Sequence, residues 1–498
     1  MKVEFTDKNI YEMNLTTDFD TLQAAASHWQ AMADFREARE RCKRYCYGRQ
    51  WDDLIQVDGR MMREEEYIRR QGNIPLKNNL IRRMVRSVLG VFRNQYAFPS
   101  AERLNLDADS PAQAAFYRHL TDNALYNRME ELHARTMEEF LISGLAVHRK
   151  STAGNTVGRR PGDRLAGRLR TDYVAPDTFF VDAATRDFRG WDVRMIGQTH
   201  DLDFLSLCAV MARTEAECET LRAIYLPQPG GGGGSARGFG AARETSHSDF
   251  LTPSAPGLCR VIEVWTRETC ERYRVHDRRH GTVYKVEATH RAALPAGCEP
   301  QWILDEEWRY RYIAPTGHVL AEGISPLPGG GHPYVWKAYP FIDGEIHSFV
   351  ADVIDQQRHA NRLITLYDWV LRSTAKGVLL FPESALPDGV DIDDISDEWS
   401  RFNGVILFRP KAGMPLPQQV CGNASQVGIT DLLDIQLKMF EDVSGVTGAL
   451  EGKLTSGAVS GTLYTQQTRQ AMTALLDILE SYNSFITEGA LLDARLLS

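Results

Sequence analysis

The chain has 498 residues, enough for two or more cores, and its 43% apolar and 25% charged content is that of an ordinary folded protein. A net charge of −9 excludes wholesale binding of nucleic acid by charge neutralisation, so any DNA contact is expected to be local or weak. Eight irregularly placed cysteines, with no secretory signal in Met1-Lys2-Val3-Glu4-Phe5 and beyond, point to reduced thiols in a cytoplasm-like compartment; no apolar run is long enough to predict a membrane span.

The N-terminal third reads as helical. Asp20-Thr21-Leu22-Gln23 has the form of a capping box, and Leu22, Ala25, Trp29, Met32 and Phe35 then recur at helical spacing, in a helix that runs through Arg41 to Tyr47 and breaks at Gly48. Asn79 to Asn94 places Leu80, Met84, Val88 and Val91 on one face, with Arg82, Arg83, Arg86 and Arg93 among its other positions. Ser110-Pro111 starts another helical pattern, which carries Leu120, Leu125, Met129, Leu132 and Phe140 and ends near Gly144.

From Ala146 to about Pro340, short β-like runs alternate with turns: Thr178 to Val181, Arg260 to Thr266, Thr282 to Val286 and Glu307 to Ile313. A helical patch is expected from Asp201 to Tyr225. Pro229 to Ser235, with five consecutive glycines, and the polar stretch to Pro256 predict a flexible surface excursion of about 25 residues. The last third is different again. A helix from Ile346 to Lys376 would be roughly 45 Å long at 1.5 Å per residue. A β-α-β insert follows, bounded by near-copies of one strand, Gly377 to Phe381 and Gly404 to Phe408, and a second helix from Ser425 to Ser444 carries the chain back. Two long helices with a small domain at one tip and a loop at the other make a strut, a part of little use in a compact enzyme and of obvious use in a ring.

Catalytic motifs find little support. Gly448 to Lys453 looks like a phosphate loop, but it has one residue too few between its glycines, Leu454 replaces the hydroxyl, and a helix precedes it. His276 and His280 with Cys259 and Cys270 fail zinc-finger spacing and read as a hairpin turn. Cys42 and Cys46 read as two buried thiols one helical turn apart. The acids Asp388, Asp391, Asp393, Asp394, Asp397 and Glu398 could be ligands of a two-metal nuclease or a solvated face presented to a basic partner. There is no Gly-x-Ser-x-Gly elbow and no His-Glu-x-x-His, so neither catalysis nor a cofactor is expected. The segment holding Gly445, Gly448, Gly452, Gly457 and Gly461, with Lys453 its single cation, spans about 16 residues where a plain helix connector needs about 2 to 8. Its length predicts a functional loop.

One ordered set of short segments comprises Tyr47-Gly48-Arg49-Gln50-Trp51; Asn78-Asn79-Leu80-Ile81 followed by Gly90; Tyr173 to Asp182 with Asp187; and His332-Pro333-Tyr334-Val335 with Pro340-Phe341 and Asp343-Gly344. Asp355-Gln356-Gln357 with Asn361-Arg362, and Val446-Thr447-Gly448 with Gly452 and Ser456-Gly457-Ala458, complete it. The set resembles the P22-like portal proteins of tailed phages. The resemblance implies an α+β multidomain portal-protein fold: a helical and β-rich wing over 1–345, stem helices over 346–376 and 425–444, a small α/β clip over 377–424, a glycine-rich tunnel loop over 445–462, and a tunnel and crown helix over 463–498. It further implies a homo-oligomeric ring of about twelve copies at a capsid vertex of the virion, assembled in the bacterial cytoplasm with major capsid and scaffolding proteins, which passes double-stranded DNA. The clip, with Asp391, Asp393, Asp394, Asp397 and Glu398, would dock the large terminase subunit and then head-completion and tail-adaptor proteins. Lys453, Thr455, Ser456, Arg358, Arg362 and Arg372 are the candidate DNA-facing residues, though the arginines could equally pair with acids of neighbouring subunits. The resemblance implies no catalysis, cofactor or metal in this chain, energy coming from the terminase. The competing expectation is a metal-dependent nucleic-acid-processing phage enzyme built on the acids of 388–398.

Overall fold

A computed structural model describes residues 16–97, 99, 111–152, 169–226, 249–277, 281–289, 298–376, 378–381, 391–400, 406, 418–420, 428–446 and 472–497. In chain order the main elements begin with α1 (Phe19–Ala31), α2 (Ala33–Cys46), β1 (Leu54–Val57), β2 (Arg60–Arg63), α3 (Glu64–Arg70) and α4 (Leu80–Gln95). There follow α5 (Pro111–Asn127), α6 (Met129–Ser143), β3 (Leu145–Thr152), β4 (Leu169–Tyr173), β5 (Phe179–Val181), β6 (Met195–Asp203), α7 (Phe204–Met211) and α8 (Glu215–Tyr225). Next come β7 (Leu258–Asp277), β8 (Thr282–Glu287), β9 (Cys298–Ile313), β10 (Val319–Ile324), β11 (Tyr334–Ala338), β12 (Phe341–Ile342) and β13 (Glu345–Ile346). The last are α9 (Ile354–Lys376), β14 (Val378–Leu380), α10 (Ile392–Ser400), β15 (Gln418–Val420), α11 (Ile429–Ser444) and α12 (Leu476–Leu497). The chain divides into two units, one of Met1–Cys46, Arg82–Asp352 and Gly445–Ser498, the other of Tyr47–Ile81 and Val353–Ser444. Residues 47–81, which sequence order alone groups with the wing, cluster with the long helices.

The first unit is built on two antiparallel sheets, β10-β9-β7-β6-β5 with β8 added to β7, and β11-β3-β4. Leu22, Ala25 and Trp29 of α1 pack with Phe179, Phe180, Phe250, Val261, Ile262 and Val264 in the main core. Glu263 is fully buried in this core, where its carboxylate accepts from Arg149 (2.9 Å), Trp265 Nε1 (2.8 Å) and His200 (2.7 Å). Burial alone would raise its pKa, but Arg149 and His200 outweigh that and hold it well below the usual range. Because Arg149 lies on β3 and Glu263 on β7, the pair ties one sheet to the other. Close approach demands glycine twice. Gly144 ends α6 at φ +79, and a Cβ there would stand 1.8 Å from His347 O; one at Gly197 would stand 2.1 Å from Glu263 O.

α12 covers the smaller sheet. Its Asp493 accepts from the fully buried Lys150 of β3 at 2.7 Å, and Tyr482 donates to His133 O at 2.7 Å. Burial lowers the Lys150 pKa and raises that of Asp493, each partly offset by the partner's charge.

Several sequence expectations shift here. The N-terminal cap is Asp18, which accepts from Thr21 N at 2.9 Å, and the expected single helix is divided at Met32 into α1 and α2. The helical patch of Asp201 to Tyr225 is the end of β6 followed by two helices. Asp203 caps α7, and Thr214 with Glu217 forms a capping box that restarts the chain as α8. The excursion expected to stay mobile to Pro256 is already packed at Asp249 and Phe250: Phe250 stacks near Trp29 and Phe180, and Arg260 donates to both carbonyls. Residues 227–248 lie outside those described.

In the second unit, α9 starts at Ile354 rather than Ile346, which makes it about 35 Å long at 1.5 Å per residue. The intervening residues include β13, in the first unit, and a turn of 3₁₀ helix, Ala351–Val353, whose last residue is the first of this stretch assigned to the second unit. α9 packs against α11. β14 pairs with β15, register Val378↔Val420. The strand expected over Gly404 to Phe408 lies, apart from Ile406, outside the described residues.

Candidate functional site

The long helix α9 carries three polar side chains four residues apart, Gln357, Asn361 and Thr365, which share one face. All three are buried, the first two completely. Their partners are backbone and amide groups of residues 50 and 76–81. Gln357 Oε1 accepts from Leu80 N (2.9 Å) and Ile81 N (3.2 Å), and its Nε2 donates to Asn78 O (2.6 Å) and Asn361 Oδ1 (3.0 Å). Asn361 accepts from Asn78 N (3.0 Å) and donates to Gln50 Oε1 (2.7 Å), and Gln50 in turn donates to Asn79 Oδ1 (3.1 Å). Thr365 accepts from Leu76 N at 3.2 Å, and Trp51 donates to Leu76 O at 3.0 Å. Leu80 and Ile81 open α4, where N–H groups have no partner within the helix. A glutamine far along the chain takes the place of the usual local cap.

Beside this lattice, Glu64 at the start of α3 is buried at 4% exposure. It accepts from Arg362 at 2.6 and 3.0 Å and from Arg358 at 3.3 Å. Arg358 and Arg362 are thus brought together on one carboxylate of their own chain. Half of the Arg362 side chain remains in solvent. Arg372 lies on α9, its side chain outside those described.

Beyond these groups, several apolar side chains of α9 and α11 stand uncovered. Leu432, Ile435, Met439 and Val443 are each about half exposed, and their spacing puts them in one stripe along α11. Leu366 and Trp369 are similarly exposed on α9.

Asp388, the first of the acidic run, lies outside the described residues, and the others stand just before and within α10. Asp394 accepts from Asp391 N at 3.0 Å, and Asp393 and Asp394 occupy the first turn, where negative charge favours a helix. Asp391, Asp393 and Asp394 are exposed and Glu398 is half-buried; the Asp397 side chain is outside those described. Among the described residues no group of three or more His, Cys, Asp or Glu is arranged to hold a metal ion. Lys453, Thr455 and Ser456 lie outside the described residues, as does the phosphate-loop lookalike.

A family model, Phage P22-like portal protein, matches residues 22–488. The chain belongs to that family. No curated protein matches it.

In this P22-like portal protein, three segments scattered through the sequence meet in space. Gln50 and Trp51 of the first, Asn78 to Ile81 of the second, and Gln357 with Asn361 of the stretch before and within α9 form one hydrogen-bonded lattice. Glu64 and Thr365 complete the arrangement but were missed in sequence. Glu64 reads as one of three consecutive acids, Glu64-Glu65-Glu66, and the other two pair locally with Arg69 and Arg70 on the surface. Thr365 had a usable signal, a third polar position one turn beyond Asn361. No described helix of the portal protein is long and apolar enough to cross a membrane.

Proposed function

We propose that this portal protein closes head-to-tail into a ring of about twelve copies at a capsid vertex, through which double-stranded DNA is packaged and later ejected. The observation that carries this reading is the uncovered stripe of Leu432, Ile435, Met439 and Val443 on α11. Contiguous exposed apolar surface of this kind marks an interaction site. A different face of the next copy covers it in a rotationally closed ring.

In such a ring, α9 and α11 form the stem and residues 377–424 the clip. The clip's acids Asp391, Asp393, Asp394, Asp397 and Glu398 face the large terminase subunit and later the head-completion and tail-adaptor proteins. Duplex DNA must pass without being gripped, since many phosphate contacts bind tightly. A subunit of net charge −9 repels the DNA backbone on average. Lys453 with Thr455 and Ser456, in the tunnel loop, supplies sparse contacts that centre the duplex. Arg358 and Arg362 are engaged by Glu64, so their first role is to fix the stem. Energy for movement comes from the terminase, and the portal itself is structural.

Light scattering of purified protein with negative-stain imaging tests this reading. Hollow discs of several hundred kilodaltons are expected, against 56.2 kDa for one copy. Monomers at every protein and salt concentration would overturn it.

A further inference from the structure

Two cysteines that the portal function leaves unused face each other from consecutive helices. Cys208 on α7 and Cys218 on α8 stand with their sulfur atoms 3.0 Å apart, closer than van der Waals contact and about 1 Å from a disulfide bond length. Both are half-buried, so each keeps some access to solvent. The approach is held on both sides. α7 is capped by Asp203, which accepts from Ser206 N at 2.9 Å, and anchored by the buried Leu207. α8 is started by the Thr214–Glu217 capping box and anchored by the buried Leu221. Each cysteine therefore sits next to, or one turn from, the side chain that fixes its helix to the core.

We propose that Cys208 and Cys218 are a reversible dithiol–disulfide site, oxidised by exchange with a small disulfide of the glutathione class. The Cys218 thiolate attacks one sulfur of the small disulfide and expels one small thiolate, leaving a mixed disulfide on Cys218. Cys208, its proton lost to solvent, attacks the Cys218 sulfur and expels the second small thiolate. Two protein thiols are oxidised, one small disulfide is reduced to two thiols, and no other reactant is needed. The order follows from the surroundings. Burial and then the neighbouring Cys218 push the Cys208 thiol up, so it is the poorer first nucleophile; once Cys218 is in a mixed disulfide, its charge no longer opposes ionisation of Cys208. The product staples α7 to α8. In a reducing cytosol the site stays open, and in an oxidising medium it closes.

The staple belongs to the fold of one chain and does not depend on ring formation. The full-length protein is equilibrated with oxidised and reduced glutathione at varied ratios. Remaining thiols are then alkylated, and the unreduced protein is digested with trypsin. Arg213 lies between the two cysteines, so cleavage puts them on separate peptides that only a disulfide holds together. The expected result is a linked pair, residues 195–213 with 214–222, two of the eight thiols protected, and full reversal by reductant. Cys218→Ser should abolish the linked pair, and Cys259→Ser should leave it. All eight thiols still alkylated at the most oxidising ratio, or Cys208 linked to Cys259 instead, would overturn the proposal. The wild-type map decides even if a variant fails to fold.

Discussion

Gln357 caps Leu80 across 277 residues of sequence: its side-chain oxygen accepts the Leu80 N–H at 2.9 Å in a fully buried setting. The same side chain satisfies Ile81 N and Asn78 O. Replacing it by leucine keeps similar bulk but strands the Ile81 N–H, while Leu80 N and Asn78 O each lose one bond and keep the 2.9 Å bond between them. Since a buried unsatisfied group costs about 1–3 kcal/mol, Gln357→Leu is expected to lower unfolding free energy by about that amount. Urea titration followed by circular dichroism measures this, and an unchanged midpoint would remove the cap from the account.

Glu64 should be worth more to the fold than either of its arginines alone. Glu64→Ala removes the one carboxylate that Arg358 and Arg362 share among the described residues, whereas Arg362→Ala leaves Glu64 still bonded to Arg358. Arg362 is half exposed, so solvent screening limits its coupling with Glu64 to roughly 1 kcal/mol. A double-mutant cycle on unfolding free energy reads this directly. Additive effects of the two substitutions would mean that the Glu64–Arg362 contact contributes nothing.

Charge placed on the α11 stripe should act on assembly and spare the fold. Ile435→Glu with Met439→Glu alters two side chains that are already about half in water, so a single chain should lose no more than about 1 kcal/mol. The expected change is in mass by light scattering, from ring to monomer, with the circular dichroism spectrum kept. Rings formed as readily as by the unaltered protein would place the subunit contact elsewhere.

Acid should weaken the first unit through its buried histidines. His133 and His148 are buried, and burial first, then the charge of Lys150 for His133 and of His133 and Lys150 for His148, lowers their pKa values, that of His133 to about 3. The unfolded chain takes these protons near pH 6.5, so below that pH it binds more protons than the folded chain and stability falls as pH falls. The limiting slope is about 1.4 kcal/mol per pH unit for each histidine. Asp493, whose pKa is raised chiefly by burial, acts in the opposite sense. Unfolding free energies at pH 7, 6 and 5 should therefore decline, and a flat profile would contradict the buried neutral state of both rings.

Helical periodicity was the most legible feature of this sequence. Leu80, Met84, Val88 and Val91, chosen on spacing alone, are all buried, and the paired strut helices lie within the ranges expected for them, starting at Ile354 instead of Ile346 and at Ile429 instead of Ser425. Strand length was not legible. β7 runs 20 residues because β9 pairs with it from Ile262 to Asp277, and its outer half, Arg267 to Asp277, mixes charges and apolar groups in a way that predicts no strand. The lattice on α9 was half legible. Its residues stood out as short segments, but nothing in a linear reading joins Gln50 to Asn361, because a hydrogen bond between amides 311 residues apart leaves no periodicity. The fully buried Glu263 has the same character, since its partners Arg149 and His200 come from other strands.

The buried contact of Lys150 with Asp493 sets a timetable for biosynthesis. Its two members are 343 residues apart, so at about 5–20 residues per second a ribosome needs roughly 17–70 s to supply the anion after the cation has emerged. Until then, burying the ammonium without a counter-ion is strongly disfavoured, and the β3 layer waits for the helix that seals it. A nascent portal subunit thus withholds its finished first unit until translation has passed residue 493, which delays any encounter between mature copies.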